Sequence, residues 1–407
     1  MSLYLLFNEL IMSLTIGLIG KPNIGKSTFF KSITMSNVEI GNYPFTTIKP
    51  NYGVAYVQSQ CPCVNSKKKC NFCIDGFRYI PINIIDIAGL VPDSHLGKGL
   101  GNKFLDDLRQ ADFLIHVVDI SGGTDLEGNI VPVGTNDPLE DISFLNKEIE
   151  LWIYDILKKN WAKLIKKIKN DHLSLSTILL SQLSGTGVKE EHINISIKNL
   201  RLDTIDISNW NDRIIHCFCH ELFLNSKKII LVGNKIDKAK MEDIQKIKKK
   251  YPSIYLTSSE VELILKIATK QGYISYRPGS NTFLILQNKK LTNEQLNGLN
   301  KISLFLKKYN GTGIQQCLNS IVFNILKMIV VYPVEDENKL CNKDGTYLPT
   351  SLLMYYGSTC LDLAKKIHTD ISTSFLYAID CKTKKRLSEK YILKNNDIIK
   401  IVFTLHK

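Results

Sequence analysis

Unbroken runs of apolar residues recur along the chain, and most of them end at or near a glycine or a polar residue. The runs cover residues 13–20, 82–85, 113–118, 228–233 and 253–256. Runs without polar alternation are typical of parallel strands that are buried on both faces. Between the strands, apolar residues three or four positions apart predict helices, as at Phe104, Leu108 and Ala111. The pattern therefore predicts an α/β fold with a doubly wound, mostly parallel sheet.

A long helical stretch interrupts this alternation. Asp86 and Asn234, which follow two of the predicted strands, are 148 residues apart, whereas two strand–helix units need roughly 60 residues. Within the surplus, apolar residues recur at helical spacing with lysines between them, at Ile153, Leu157, Trp161, Leu164, Ile165 and Ile168. This stripe predicts an inserted α-helical domain at residues 137–225, in which Trp161 belongs to the core.

The C-terminal part of the chain has short strands and turns around one helix, which predicts a β-grasp-like domain at residues 328–407. The α/β domain then consists of residues 13–136 and 226–327. The first twelve residues form an N-terminal extension. Because Met12-Ser13-Leu14 repeats Met1-Ser2-Leu3, Met12 is a second candidate for the start of the protein.

The charge is unevenly distributed. The chain of 407 residues has a formal net charge of +13, and residues 226–327 contain 18 Lys and Arg against 6 Asp and Glu. Two interpretations stay open: a surface for a polyanion such as RNA, or a solvated lysine-rich face. Ten cysteines without a secretory signal predict a reducing, cytoplasmic compartment. The N-terminal residues lack a basic region and include Asn8 and Glu9, so we expect neither a signal peptide nor a membrane span.

The first predicted strand ends in the segment GKPNIGKS, residues 20–27, and a helix follows. This is the phosphate-binding loop (P-loop) pattern, in which glycines let backbone N–H groups surround phosphates. Lys26 would reach the outer phosphates and the Ser27 hydroxyl would bind Mg²⁺. The predicted nucleotide contacts of this loop are Asn23, Ile24, Gly25, Lys26, Ser27 and Thr28.

A second phosphate motif, D-x-x-G, follows the strand at residues 82–85. Asp86 would hold Mg²⁺ through water, and the Gly89 N–H would bond the terminal phosphate. In Ras-like switches the next residue is a glutamine that orients the attacking water. Here that residue is Leu90, so another group must act on the water.

A base-recognition motif, N-K-x-D, follows the strand at residues 228–233, as Asn234, Lys235 and Asp237. A carboxylate at Asp237 can accept two hydrogen bonds from guanine, and adenine offers no such pair of donors. After the next strand, backbone N–H groups of Thr257, Ser258 and Ser259 could reach the guanine carbonyl; of these, Ser258 and Ser259 are predicted site residues. The order of the motifs predicts a GTP-binding protein, with ATP as the alternative.

Further stretches, NYPFTTIKPN, DIAGLVP, GKGLGNKFL and VYPVEDENKL, resemble the Obg-related P-loop GTPases, and within them the archaeal-type YchF subfamily. The resemblance extends from about residue 13 to the C-terminus, where the domain is similar to a TGS domain. It implies a cytoplasmic GTPase that converts GTP to GDP and associates with the ribosome or another RNA-containing assembly. Typical YchF proteins have an altered base motif associated with ATP, whereas the intact motif here favours GTP.

The resemblance also implies roles for individual residues. Thr47 would close over Mg²⁺, with Thr46 as the alternative. His95 would be the catalytic group that holds the attacking water in place of a glutamine, or else an exposed loop residue. In some GTPases without the glutamine, an asparagine at the position of Asn23 binds K⁺, so K⁺ is a candidate second cation.

The segment CPCVNSKKKCNFC places Cys61, Cys63, Cys70 and Cys73 in a C-x-C-x6-C-x2-C pattern. Four thiolates at this spacing can form a zinc site. Redox-sensitive thiols and plain reduced cysteines are the other interpretations. For the whole protein, two functions stay open: a slow GTPase switch, or a binding module in which hydrolysis is incidental. The sequence does not predict an oligomeric state.

Overall fold

The computed structural model describes residues 14–35, 51–66, 68–92, 101–170, 174–183, 186–226, 228–287 and 291–404. The strands are β1 Thr15–Ile19, β2 Tyr52–Gln60, β3 Cys73–Ile74, β4 Phe77–Asp86, β5 Phe113–Asp119, β6 Ile229–Asn234, β7 Tyr255–Leu256, β8 Ile274–Ser275, β9 Leu284–Ile285, β10 Met328–Val334, β11 Leu352–Tyr355, β12 Phe375–Asp380, β13 Arg386–Leu387 and β14 Asp397–Phe403. The N-terminal extension with Met12, the pair Thr46 and Thr47, and His95 lie outside the described residues.

The α-helices are α1 Lys26–Thr34, α2 Gly101–Gln110, α3 Pro138–Lys159, α4 Trp161–Asn170, α5 Leu175–Leu183, α6 Glu190–Asn199, α7 Asp212–Ser226, α8 Met241–Lys250, α9 Ser259–Lys270, α10 Asn293–Tyr309, α11 Ile314–Ser320, α12 Cys360–Ile367 and α13 Thr369–Thr373. A π-helical turn, Ile321–Ile325, follows α11. No helix in the described ranges has both the length and the hydropathy that a membrane span requires.

The central sheet has the strand order β2-β4-β1-β5-β6-β7. Strands β4, β1, β5, β6 and β7 run parallel, and all seven residues of β5 are buried. At one edge, β2 pairs antiparallel with β4 along its whole length, and the short strand β3 also pairs with β4. The predicted fold class, a mostly parallel α/β sheet, is confirmed, whereas the sequence did not predict the edge strand β2.

The stretch between β5 and β6 is helical, from α3 to α7. Asp137 caps α3 by accepting a hydrogen bond from the Leu139 N–H at 3.0 Å. Ile153 and Leu157 of α3 are buried in one hydrophobic cluster with Leu108 and Leu114, so these helices pack against the α2 side of the sheet. Trp161 packs against Trp210, with ring centroids 6.0 Å apart.

The C-terminal residues form a second sheet with the order β11-β10-β14-β12-β13. Alternate residues of β10 face opposite sides, as they must in a strand. Ile329 and Val331 pack with α12, whereas Val330 and Tyr332 belong to a cluster that includes the core of the central sheet. The C-terminal β-grasp sheet therefore lies between its own helix and the α/β domain.

Candidate nucleotide-binding site

The loop between β1 and α1 has the backbone of a phosphate-binding loop. Asn23 and Gly25 have positive φ angles of 59° and 88°, and α1 begins directly afterwards at Lys26. At Gly25 a Cβ atom would lie 2.6 Å from Asn234 Nδ2, so only glycine fits between the loop and the base motif. The start of α1 directs its N–H groups towards the loop, which is the arrangement that binds phosphates.

The D-x-x-G motif lies beside this loop because β4 pairs with β1, with Asp86 opposite Leu18. The Ser27 hydroxyl donates to Asp86 Oδ2 at 3.2 Å, and Lys26 Nζ lies 3.4 Å from Asp86 Oδ1. Asp86 Oδ1 is buried and accepts no hydrogen bond from any described residue. A hydroxyl and a carboxylate oxygen at this distance fit the hard oxygen ligands that Mg²⁺ prefers.

Gly89 brings the end of this motif against the P-loop, since a Cβ atom there would lie 3.0 Å from the Pro22 nitrogen. Leu90 is 7% exposed and belongs to the hydrophobic cluster that includes Ile87 and Phe104. Its side chain therefore contributes to packing and offers the phosphate site no polar group. Thr47 and His95, the predicted Mg²⁺ ligand and water-holding group, cannot be placed because they fall outside the described part of the chain.

Asn234 connects the base motif to two other segments. It is 1% exposed, and its Nδ2 donates to the Ile24 carbonyl at 3.2 Å. Its Oδ1 accepts from Ser259, from the N–H at 3.1 Å and from the hydroxyl at 3.0 Å. One amide side chain thus fixes the P-loop, the end of β6 and the start of α9 relative to one another.

Lys235 and Asp237 lie at the rim of this loop. Lys235 Nζ donates to the Asn23 carbonyl at 3.0 Å and to Asp119 Oδ2 at 2.7 Å. Asp237 is exposed, and its Oδ1 accepts a hydrogen bond from the Ser258 hydroxyl at 2.6 Å. The hydroxyl orients a carboxylate that stays accessible to a base.

The turn after β7 differs from the expectation that its backbone N–H groups reach the guanine carbonyl. The N–H of Thr257 donates to the Gly233 carbonyl at 2.8 Å, and that of Ser258 to the Thr312 carbonyl at 3.0 Å. The Ser259 N–H donates to Asn234 Oδ1 at 3.1 Å. Ser258 and Ser259 therefore contact Asp237 and Asn234 with their side chains, and their N–H groups have protein partners.

Comparison with known proteins agrees with these motifs. Residues 15–159 match the family described as 50S ribosome-binding GTPase, residues 232–336 match Obg-like GTPase YGR210-like, G4 motif-containing domain, and residues 345–403 match the TGS domain. An uncharacterized GTP-binding protein of Methanocaldococcus jannaschii is 48% identical over 95% of this chain and 98% of its own. The chain belongs to the YchF-related, Obg-like GTPases.

Two further relatives of this Obg-like GTPase are informative. A protein of Bacillus subtilis named ribosome-binding ATPase YchF is 30% identical over 72% of this chain and 76% of its own. The crystal structure of a GTP-binding protein from Pyrococcus horikoshii OT3 is 36% identical, has a TM-score of 0.73, and the match covers 96% of this chain and all of that one. The family assignment that was made from the motifs is thereby confirmed, including the GTPase and TGS domains.

The sequence did not predict that a segment of this GTPase covers the P-loop. This cover segment, residues 120–136, connects β5 to α3. Asn23 Nδ2 donates to the Gly128 carbonyl at 2.9 Å, and Lys21 Nζ donates to the Thr124 carbonyl at 2.8 Å. At its start, Asp119 accepts hydrogen bonds from Ser121 and Thr124 as well as from Lys235. The P-loop, the cover segment and the base motif thus form one polar network.

A buried ion pair joins this network to the helical domain. Lys21 Nζ lies 2.6 Å from Asp141 Oδ1 on α3, and the two side chains are 2% and 4% exposed. Burial raises the pKa of Asp141 to about 6, against the lowering effects of Lys21 and of the Asn136 amide. No signal in the sequence pairs Lys21 with Asp141, since 120 residues separate them.

The four cysteines of the C-x-C-x6-C-x2-C pattern lie between the end of β2 and the start of β4. They are away from the P-loop and close to one another. Their Sγ atoms all lie within 4.8 Å of each other. The structure therefore brings together the four residues that the sequence named as a possible zinc site.

Proposed function

We propose that this Obg-like GTPase is a slow, GTP-dependent switch that acts on the ribosome. The observation that carries the proposal is the base motif, because Asn234 ties it to the P-loop and Ser258 orients Asp237. A carboxylate held in this way accepts the N1–H and 2-amino hydrogen bonds of guanine. The alternative substrate is ATP, because the Bacillus subtilis relative is named an ATPase.

Mg²⁺ would be held by Ser27 and Asp86, with Thr47 as the further ligand that the family resemblance implies. When bound, the ion would neutralise negative charge on the phosphates. The chain itself supplies Lys26 to the outer phosphates and the Gly89 N–H to the terminal phosphate. The Oδ1 atom of Asp86 supports this assignment, because it is buried and accepts no hydrogen bond from any described residue.

Slow hydrolysis follows from Leu90. Its side chain is buried in the core, so it neither orients water nor blocks another group from doing so. We assign the water-holding role to His95 and a supporting role to K⁺ bound at Asn23. Because Asn23 Nδ2 donates to the Gly128 carbonyl, the Oδ1 atom of the same amide is the one that can face a cation.

The ribosome as the partner is supported by the name of the Bacillus subtilis relative and by the excess of Lys and Arg in residues 226–327. The end of α10 contacts α8, since the Tyr309 hydroxyl donates to Met241 Sδ at 3.9 Å and Phe305 packs against the cluster that includes Ile244 and Ile247. Six lysines on these helices are exposed and form no ion pair with any described carboxylate: Lys248, Lys249, Lys250, Lys301, Lys307 and Lys308. Such a face suits the phosphates of ribosomal RNA.

We further assign the domains as residues 13–136 and 226–327 for the GTPase domain, 137–225 for the helical insertion and 328–407 for the TGS domain. The bounds of the helices and strands support these limits. The resemblance and the ribosome partner also favour the cytoplasm as the location.

The test is calorimetric titration of nucleotide-free protein with GTP, GDP and ATP in Mg²⁺, for the wild type and Asp237→Asn. Asparagine keeps one acceptor oxygen and replaces the other by an N–H donor, so loss of one hydrogen bond to a charged acceptor should weaken GTP and GDP binding by roughly 10- to 100-fold, and ATP binding should not change. Wild-type protein that binds ATP as well as GTP would overturn the choice of nucleotide. Pelleting with ribosomes and a GTP analogue then tests the partner.

A further inference from the structure

The loop between β2 and β4 contains a cluster of thiols that GTP hydrolysis does not use. We propose that Cys61, Cys63, Cys70 and Cys73 bind one Zn²⁺ ion, and that this ion fastens the loop to the C-terminal TGS domain. The proposal is independent of the nucleotide and of the ribosome. It rests on the distances between the sulfur atoms, on the folding of the loop, and on a buried arginine beside it.

The sulfur atoms have the spacing of a tetrahedral zinc site. Cys61 and Cys70 Sγ are 3.6 Å apart, Cys63 and Cys73 Sγ are 3.4 Å apart, and Cys70 and Cys63 Sγ are 3.5 Å apart. A Zn–S bond is about 2.3 Å long, which places the corners of a ZnS₄ tetrahedron about 3.8 Å apart. A disulfide would need about 2.05 Å between two sulfur atoms, so the cluster is arranged for a metal and not for two disulfides.

Backbone hydrogen bonds hold both halves of the cluster. The Cys61 N–H donates to the Gly76 carbonyl at 2.8 Å, and the Val64 N–H donates to the Cys61 carbonyl at 3.1 Å. On the other half, β3 and β4 form a hairpin in which Cys73 pairs with Arg78. A short helical turn and a tight hairpin therefore present the two pairs of thiols to each other.

The cysteines are the part of the loop that is turned towards the core: Cys61, Cys63 and Cys70 belong to the main hydrophobic cluster, and Phe72 packs against it. Cys61 and Cys63 are each 1% exposed and Cys70 is 7% exposed, whereas the neighbouring Lys68 and Lys69 face solvent. A short loop that directs its cysteines inwards and its lysines outwards gains folding free energy from what the cysteines bind, in addition to this packing. Four thiolates on one ion are the typical structural zinc site, which leaves no open position for catalysis.

Arg78 supplies a second, independent argument. Its side chain is 2% exposed, and its Nη1 lies 3.8 Å from Cys70 Sγ. Among the described residues no carboxylate forms an ion pair with Arg78, and a buried cation without an anionic partner is costly. Four thiolates around Zn²⁺ have a net charge of −2, which gives the guanidinium its counter-charge. Hydrogen bonds to zinc-bound sulfur are the usual second layer of such sites.

The same arginine reaches the TGS domain. Arg78 Nη2 donates to the Leu348 carbonyl, and its Nε donates to Ser351 Oγ at 3.4 Å. Beside it, the Tyr347 hydroxyl donates to Ser66 Oγ at 3.0 Å. The loop between β2 and β4, together with Arg78 at the start of β4, thus contacts residues 347–351 of the TGS domain. Metal binding should tighten this contact.

The test starts with metal analysis of full-length protein without an affinity tag, expressed with added zinc and purified without chelator. We expect one zinc per chain, and after exchange a cobalt spectrum with the charge-transfer bands of tetrahedral thiolate ligation. Cys73→Ser, at the least buried ligand, should lose zinc to near zero while it still binds GTP. Cys217→Ser, at an exposed cysteine outside the cluster, is the matched control and should keep one zinc.

Hydrogen exchange tests the contact with the TGS domain. Removal of zinc should speed amide exchange in residues 61–74 and also in residues 347–351, while residues 360–367 of the same domain stay unchanged. Wild-type protein without zinc, which also fails to take up an equimolar amount, would overturn the metal site. Stoichiometric iron in its place would overturn the choice of metal. Unchanged exchange at residues 347–351 would overturn the fastening role.

Discussion

Asn234 shows how much of this site depends on single side chains. Its amide uses both ends, donating to Ile24 in the P-loop and accepting from Ser259 at the start of α9. Lys235 adds a second connection through Asn23 and Asp119. The base motif therefore recognises the nucleotide and also holds the phosphate loop in its shape.

The missing glutamine leads to a prediction about turnover. The variant His95→Ala should lower the rate of GTP hydrolysis about 100-fold, the lower end of what a positioned acid or base contributes, without weakening GTP binding. Both proteins should hydrolyse faster in K⁺ than in Na⁺ at equal ionic strength, because K⁺ would supply positive charge and the imidazole would hold the water, which are different roles. Single-turnover rates in the four combinations check this.

The outcomes of that experiment distinguish the role of His95 from the role of K⁺ at Asn23. Unchanged turnover in His95→Ala would remove the histidine from the mechanism. Equal rates in the two salts would rule out K⁺ at Asn23. A lower affinity for GTP in the variant would show that the change affects binding before it affects chemistry.

At the scale of strands and helices, the sequence predicted the elements that have a distinctive local pattern of apolar residues. Strands β1, β4, β5 and β6 were found because their apolar residues are continuous. Strand β2 was missed because polar residues such as Gln58 interrupt it. Gln58 is buried in the structure, where its Nε2 donates to the Pro278 carbonyl at 2.9 Å. Because this partner lies 220 residues away, no local sequence pattern indicates it.

The cover segment was missed for the same reason. Its glycines, its one proline and its acidic residues are typical of an exposed loop, and Lys21 occupies a position that the P-loop pattern leaves unspecified. Residues 120–124 of the segment and Lys21 are buried by contacts that depend on the complete fold, such as Lys21 with Asp141. The P-loop, D-x-x-G and N-K-x-D residues could be named from the sequence because each follows its own strand.

The ion pair between Lys21 and Asp141 gives a prediction for this pair of elements. Asp141→Asn leaves the Lys21 ammonium buried without an anion, which should cost about 3–5 kcal/mol of stability. Lys21→Met combined with Asp141→Asn removes both charges and should recover at least half of that loss. Chemical denaturation, followed by fluorescence, measures the three variants against the wild type.

An exposed ion pair on the helical domain is the control. Lys158 and Asp212 pair on the surface, with side chains that are 43% and 67% exposed. Asp212→Asn should cost less than about 1 kcal/mol, as exposed pairs do. If Asp141→Asn costs no more than this control, the buried pair does not hold the helical domain to the P-loop.

At the scale of the whole molecule, the three domains are coupled at different points of the central sheet. The cover segment and Lys21 connect the nucleotide site to the helical domain at one end. The cysteine loop and Arg78 connect strand β4 to the TGS domain at the other. A change at the phosphates therefore has a short route to the helical domain, whereas the TGS domain is held by contacts outside the nucleotide site.

The lysine face of α8 and α10 then gives a prediction for ribosome binding. Replacing Lys248, Lys249 and Lys250 together by glutamate should weaken pelleting with ribosomes at least tenfold at about 0.1 M salt, because lysine–phosphate contacts release counterions. The salt dependence of binding should become less steep for the same reason. GTP affinity should not change, since these lysines do not contact the nucleotide site.

A matched charge change on another helix decides whether the lysines of α8 and α10 themselves contact the ribosome. Helix α4 also presents three exposed lysines, Lys163, Lys166 and Lys167, so their replacement by glutamate changes the net charge equally. If α8 and α10 form the contact, the α4 variant should pellet nearly as the wild type does. Equal losses in both variants would mean that total charge attracts the ribosome, and that neither face is the docking surface. Loss in the α4 variant alone would move the contact to the helical domain.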